Sequence, residues 1–221
     1  MRDLIISASI LSADMGCLAK DAAAVLEAGA DRLHIDVMDN HFVPNLTFGP
    51  LICAALRKHL PQAFLDVHLM VNPVDDLISA FAASGADQIS FHAEASTDVI
   101  KNLKQIRHLG CKVGLAINPQ TSLNCLDELC EYLDFILIMS VNPGFAGQHF
   151  IPNVLGKISI VHQLILTHKP NIRLGVDGGV KKNNITEIAK AGADTFILGS
   201  AIFNAENYAV ALTELRSQLN L

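Results

Sequence analysis

Arg32-Leu-His-Ile-Asp-Val-Met38 follows an amphipathic run, residues 14–28, that ends on Gly29. A helix closed by a glycine where a left-handed cap is needed, then a short apolar strand, is the repeating module of a parallel α/β fold. Side chains on a strand alternate between faces. His34, Asp36 and Met38 therefore share one face, and Ile35 and Val37 point the other way. An imidazole, a carboxylate and a thioether project from one side of an otherwise apolar strand.

Working outward, the module recurs. Apolar strands read at 4–9, 64–71, 88–92, 112–117, 135–141, 172–176 and 195–198, besides 32–38. Helical runs read at 14–28, 51–59, 74–84, 97–109, 123–132, 151–167, 184–191 and 205–219. Gly85, Gly110 and Gly192 repeat the placement of Gly29, just after a helix and just before a strand. Continuous apolar strands are what helix-covered parallel sheets need. Eight such units without a long linker predict one closed (β/α)8 barrel, a single domain over residues 1–221. The other arrangement of such units is an open doubly wound sheet. No Gly-x-Gly-x-x-Gly follows the first strand, which removes the usual dinucleotide-binding form.

Composition narrows the class. With 221 residues, 51% of them hydrophobic, the chain can bury a large core. A net charge of −6 and no run of more than two basic residues leave nucleic acid without an electrostatic footprint. The first apolar stretch is broken by Ser7 and Ser9, too polar for a secretion signal, and no segment reaches the ~18 apolar residues of a membrane span. The five cysteines, at 17, 53, 111, 125 and 130, form no Cys-x-x-Cys pair. They read as reduced thiols of a cytoplasmic protein, with Cys125 and Cys130 in the core.

Barrels of this kind carry their chemistry at the C-terminal ends of the strands. Ser9, His34, Asp36, Met38, His68, Met70, Met139 and Asp177 all fall there. Taken singly, His34 and His68 also read as histidines satisfied inside a barrel. Two aspartates at matching depth are costly to bury unless paired or metal-bound, which favours a divalent-metal site made of His34, Asp36, His68 and Asp177. That donor set suits zinc, iron(II), manganese or cobalt better than calcium or magnesium. A second cluster is rich in glycine: Pro143-Gly-Phe-Ala-Gly147-Gln, Gly178-Gly179 and Gly199-Ser200. Each alone is an ordinary turn. In adjacent loops after strands six to eight they form a phosphate grip of backbone N–H groups. Met38, Met70 and Met139 line the same space, as core filling or as a soft uncharged wall beside a planar intermediate.

With these residues in place, the chain resembles the ribulose-phosphate 3-epimerase family over nearly its whole length. The likeness is carried by Ser9-Ile-Leu-Ser-Ala-Asp14, His34-Ile-Asp-Val-Met-Asp39, His41-Phe-Val-Pro-Asn45, Leu65-Asp-Val-His-Leu-Met70, His92-Ala-Glu94, Val141-Asn-Pro-Gly144, Val176-Asp-Gly-Gly179 and Leu198-Gly-Ser200. The resemblance implies interconversion of D-ribulose 5-phosphate and D-xylulose 5-phosphate, with one divalent metal ion on His34, Asp36, His68 and Asp177. It implies Asp36 as proton acceptor and Asp177 as proton donor. It further implies substrate contacts from Ser9, His68, Gly144, Phe145, Ala146, Gly147, Gly178, Gly179, Gly199 and Ser200, and a homo-oligomer. The chain departs from the family pattern at Ala8, where proline is common, and at Asn40 and Ala146, where glycine is. Rival readings are a Schiff-base aldolase, an epimerase of a six-carbon ketose phosphate, and a phosphate-binding scaffold without catalysis. The aldolase needs a lysine at the C-terminal end of a strand, whereas Lys112 begins strand five. The scaffold has no use for four metal ligands, and the six-carbon substrate shares all of them.

Overall fold

Strand alternation and glycine-closed helices organise the barrel. The computed structural model describes residues 3–219. Its strands are β1 (Ile5–Ser9), β2 (Arg32–Met38), β3 (Leu65–Met70), β4 (Gln88–His92), β5 (Lys112–Ile117), β6 (Phe135–Met139), β7 (Arg173–Asp177) and β8 (Thr195–Leu198). They pair in parallel in sequence order, and β8 closes onto β1, so the open doubly wound alternative is excluded. The helices are α1 (Leu18–Glu27), α2 (Pro50–His59), α3 (Asp75–Ala83), α4 (Val99–His108), α5 (Leu126–Leu129), α6 (Val154–His168), α7 (Ile185–Lys190), α8 (Ser200–Phe203) and α9 (Tyr208–Leu219). None is long and apolar enough to cross a membrane.

The two faces of each strand serve different cores. Ile6, Ala8, Leu33, Ile35, Val37, Leu65, Val67 and Leu69 face outward into the layer shared with the helices. The other parity fills the barrel, and unevenly. Ala116, Phe135, Leu137, Met139 and Ile197 form an apolar half, from β5, β6 and β8. The half built by β1 to β4 is polar: Ser7, Ser9, His34, Asp36, Asp66, His68, Gln88, Ser90 and His92 are all buried. Gly175 makes this packing possible, since a methyl there would lie 2.3 Å from the Phe135 ring.

At the N-terminal face, the residue before every even strand is an aspartate that ties down the odd strand beside it. Asp31 accepts from the Ile6 N–H at 2.7 Å, Asp87 from Leu65 at 2.7 Å, Asp134 from Val113 at 3.0 Å and Asp194 from Leu174 at 3.2 Å. Each also pairs with an arginine, namely Arg216, Arg57, Arg107 and Arg173. Three of the four sit in the same tripeptide, at Gly29-Ala-Asp31, Gly85-Ala-Asp87 and Gly192-Ala-Asp194. A carboxylate that takes a backbone N–H and a guanidinium makes two charge-assisted bonds, stronger than neutral ones.

Several boundaries differ from the sequence reading. The run 14–28 begins as a 3-10 turn, Met15–Cys17, because the Asp14 side chain caps the Gly16 N–H at 2.8 Å. Asn207 accepts from the N–H groups of Ala209 and Val210, which starts the last helix at Tyr208 rather than residue 205. The short α8 was not expected, since four residues are too few to show a helical period. The run 123–132 is helical only from Leu126, as the four-residue α5 followed directly by a 3-10 helix at Cys130–Tyr132. The glycines at 29, 85, 110 and 192 all have positive φ, as the cap reading requires. All five cysteines are free; Cys130 is buried, while Cys125 is only half-buried.

Candidate active site

The β2–β3 register sets the centre. His34 lies beside Asp66, and Asp36 beside His68. The order His-x-Asp on one strand and Asp-x-His on the next thus makes two cross-strand pairs of opposite sense. In the lower pair His34 Nδ1 meets Asp66 Oδ2 at 2.8 Å, and Asp66 Oδ1 accepts from Gln88 Nε2 at 2.8 Å. In the upper pair His68 Nδ1 lies 3.4 Å from Asp36 Oδ1. His34 Nε2 points up to Asp36 Oδ1 at 3.3 Å. Asp177, the last residue of β7, reaches across the barrel to 4.0 Å from His34 Nε2 and 3.8 Å from His68 Nδ1. One ligand atom from each of His34, Asp36, His68 and Asp177 lies within 4.8 Å of every other, so the cluster could hold a metal ion.

The donor set passes a structural test of fit. His34 Nε2 is fully buried and has no hydrogen-bond partner, although it faces two carboxylates. A buried ring nitrogen that faces two carboxylates without a hydrogen bond can be satisfied by a cation taking the place of its proton. Asp66 holds the opposite nitrogen and thereby fixes which one faces the site. Two imidazole nitrogens and two carboxylate oxygens are the ligands of a borderline divalent ion.

Electrostatics separates the two carboxylates. Burial works to raise Asp36, but the imidazoles of His34 and His68 overcome it and hold Asp36 below the usual carboxylate range. Asp177 is pushed up to about 7, first by burial and then by the charge of Asp36. Burial pulls His34 down, yet Asp36 and Asp66 outweigh it and raise the ring well above its ordinary value. Burial dominates for His68 and lowers it. One carboxylate is thus held ionised and the other kept ready to carry a proton. Such a division is the one an acid and a base would need.

Above this floor a single cavity gathers the remaining residues. Asp36 and Asp177 lie at its base with Ser9, whose hydroxyl donates to Asp36 Oδ2 at 2.6 Å. Met38, Met70 and Met139 are buried in its walls. The β6–α6 loop, with Gly144, Phe145, Ala146 and Gly147, arches over one side, and Gly178, Gly179, Gly199 and Ser200 form the other. His34 and His68 lie beneath and do not line it. Gly179 cannot be replaced without moving the loop: its φ is +64°, and a methyl would sit 2.3 Å from the Phe150 nitrogen. Gly199 caps α8 without a side-chain bond, leaving the first N–H groups of that helix free at the cavity rim. Ala146 is not among the positive-φ residues, so its methyl brings no strain to the loop. Asn40 does take φ 61°, a conformation asparagine tolerates better than most residues.

Several supporting residues escaped the sequence reading. Asp66 and Gln88 back His34, and His92 backs His68 through a 2.8 Å contact between their Nε2 atoms. Ser140 donates to the carbonyls of Asp177 and Gly178 and so holds the end of β7. Asn45 ties the β2–α2 loop to the Gly144 carbonyl at 2.7 Å. Each is a polar residue within or beside an apolar run. That is the one signal that could have found them.

The fold and the site define a closed parallel (β/α)8 barrel with a candidate metal centre of two histidines and two aspartates beneath glycine loops. Solved structures agree on the fold. The 3-keto-L-gulonate-6-phosphate decarboxylase of Vibrio cholerae superposes with TM-score 0.72 at 20% identity, covering 100% of this chain and 98% of that one. The thiamine phosphate pyrophosphorylase of Pyrococcus furiosus gives TM-score 0.66 at 20% identity, covering 98% of this chain and 95% of that one. Sequence relationship is far more specific. The ribulose-phosphate 3 epimerase family matches residues 5–203. The ribulose-phosphate 3-epimerase of Escherichia coli K12 is 53% identical over 219 residues, 99% of this chain and 97% of that protein. That of Serratia marcescens is 54% identical over 208 residues, 94% of this chain and 99% of that protein. The chain belongs to the ribulose-phosphate 3-epimerase family.

Proposed function

We propose that the chain interconverts D-ribulose 5-phosphate and D-xylulose 5-phosphate by moving a proton at C3. The observation that carries this reading is the convergence of Asp36 and Asp177, with two imidazoles, at the base of a cavity rimmed by glycine loops. Inverting a carbon next to a ketone requires removing its proton and returning one to the opposite face. Two carboxylates on opposite sides of a flat enediolate do this without either changing place. Asp36, held below the usual carboxylate range, accepts the proton from one face; Asp177, pushed up to about 7 in the metal-free protein, donates to the other. In the reverse direction the roles exchange.

His34, Asp36, His68 and Asp177 would hold a divalent ion, zinc, iron(II), manganese or cobalt. Bound there, the ion supplies Lewis-acid stabilisation of the negative charge that proton loss leaves on the substrate's oxygens. The backbone N–H groups of Gly178, Gly179, Gly199 and Ser200 take the phosphate, and the loop from Gly144 to Gly147 closes over it. Fixing the phosphate orients C3 between the two acids and excludes water. Ser9 contacts the sugar end; His68, expected from the resemblance to touch the substrate, lies beneath the cavity and would serve as a ligand of the ion instead, while Met38, Met70 and Met139 give the planar intermediate an uncharged wall. The reading includes a single catalytic domain, cytoplasmic residence, which the five free thiols support, and self-assembly, for which the exposed Leu46 and Leu51 offer a contact.

The test is incubation with ribulose 5-phosphate and a divalent ion in D2O, followed by NMR with a chelator control. Xylulose 5-phosphate carrying deuterium at C3 is the expected product. Turnover of allulose 6-phosphate but not ribulose 5-phosphate would move the substrate to the six-carbon class, and no exchange at C3 would refute the proton-transfer reading.

A further inference from the structure

His92 is the last residue of β4, fully buried, and used by no step above. Its Nε2 lies 2.8 Å from Nε2 of His68, and its Nδ1 has no partner among the described residues. The ring is held between His68, at 5.0 Å between centroids, and Phe42, also at 5.0 Å. Phe42 is itself fixed by the Asp39 carboxylate, which accepts its N–H at 2.8 Å.

Two ring nitrogens 2.8 Å apart share one proton. Two lone pairs would repel at that distance, and two protons would collide. One ring therefore donates through Nε2 while the other accepts. If His92 donated, His68 would carry its proton on Nδ1, aimed at the centre and useless as a ligand. If His68 donates, its Nδ1 lone pair is free. The unpartnered Nδ1 of His92 favours neither arrangement, so the choice falls to what His68 Nδ1 meets.

We propose that His92 is a positioning residue for the metal centre, its Nε2 accepting the Nε2–H of His68 and so presenting His68 Nδ1 as a bare donor. This rests on the reading of His34, Asp36, His68 and Asp177 as a metal site. Each ligand imidazole then has its own backing, a carboxylate behind His34 and a neutral imidazole behind His68. Packing alone does not call for a histidine here. An apolar side chain of similar size would fill the space without burying a ring nitrogen that has no partner.

The experiment strips the protein of metal and titrates zinc(II) against a chromophoric chelator, for wild type, His92→Leu and His92→Gln. Leucine fills the space without an acceptor, and glutamine returns an amide oxygen near the position of Nε2. The expected result is a loss of about 10–100-fold in zinc affinity for His92→Leu, the usual range for such backing residues. His92→Gln should recover to within about threefold of wild type. Urea midpoints of the metal-free proteins check that each variant is folded. A second measurement needs no variant: in zinc-loaded wild type labelled with 15N-histidine, His68 Nε2 should carry the proton and couple across the hydrogen bond to an unprotonated His92 Nε2. Wild-type affinity in folded His92→Leu, failure of glutamine to restore it, or a proton on His92 Nε2 in the loaded protein would each overturn the role of His92 alone. No zinc binding by wild type would instead overturn the metal site, and the role of His92 with it.

Discussion

Replacing Asp177 with asparagine should make the metal-free protein more stable at pH 8 while abolishing epimerisation. The reason lies in the pairing of Asp36 and Asp177 around one centre. The carboxyl of Asp177 moves from an ordinary 3.8 to about 7, driven by burial and by Asp36. Its folded value lies above its unfolded one, so between about pH 4 and pH 7 the folded protein holds a proton that the unfolded chain has released. Stability contributed by this group therefore falls as pH rises through that window, and the full cost is present above it. A shift of about three units corresponds to a ceiling of ~4 kcal/mol. Relaxation of a group at the cavity wall takes back part of this, and we expect a net cost of ~2 kcal/mol at pH 8. Asparagine keeps the shape without the charge. In a protein of this size its melting temperature should rise by about 4–8 °C.

The assay is thermal and urea unfolding of both proteins in excess chelator across pH 4 to 8. The two curves should coincide near pH 4 and separate upward for Asp177→Asn. Saturating zinc should then reverse the order, because the wild type gains binding energy and the variant has lost a ligand. A difference that stays constant with pH, or a variant less stable at pH 8, would refute the repulsion between the two acids.

Asp36→Asn should also be inactive, but with the opposite effect on stability: a loss of ~3 kcal/mol at pH 7 by urea unfolding, since the buried His34 ring loses the negative charge that faces it, while Ser9 can still donate to the amide oxygen. Gly179→Ala should raise KM for the sugar phosphate by at least about tenfold in steady-state kinetics, as the methyl pushes the Gln148–Phe150 backbone of the β6–α6 loop away from residue 179. An unchanged KM would remove Gly179 from the phosphate grip. Asp87→Ala should lower stability by ~1–2 kcal/mol and leave kcat at 25 °C unaltered, because it leaves the Leu65 N–H without its acceptor, while Arg57 keeps its bonds to the Gly85, Pro61 and Ala63 carbonyls, all far from the chemistry.

Parity made most of the barrel legible. Once His34, Asp36 and Met38 share a face, the outward Ile35 and Val37 call for helices behind them, and eight repeats call for closure. What parity cannot supply is register. His34 and Asp66 form one pair, and Asp36 and His68 the next, only because β3 is aligned with β2 so that residues 34 and 66 stand side by side. Read along each strand separately, Asp66 and Asp36 are equivalent; in the barrel one backs a ligand and the other is a candidate ligand. The same limit hid His92, which earns its place through a neighbour on β3 and not through its own sequence surroundings. The Gly-Ala-Asp tripeptides were open to reading as a repeat, but the fourth position, Leu133-Asp134, breaks the pattern. The need for aspartate is visible only when the odd strand's N–H is seen beside it.

These aspartates explain how the fold tolerates its own centre. Asp36 and Asp177 repel, and the polar half of the interior leaves ring nitrogens of His34 and His92 unpartnered. All of that lies at the C-terminal ends of the strands. At the opposite face, Asp31, Asp87, Asp134 and Asp194 each fasten a neighbouring strand and meet an arginine. Strand pairing is thus secured in the places where the site makes no demand. The unfavourable charges stand at the far end, where a bound cation would relieve them. The division has a measurable consequence. Asp87→Ala should lower the unfolding midpoint by the same amount with or without zinc, whereas the effect of Asp177→Asn should change sign between the two conditions.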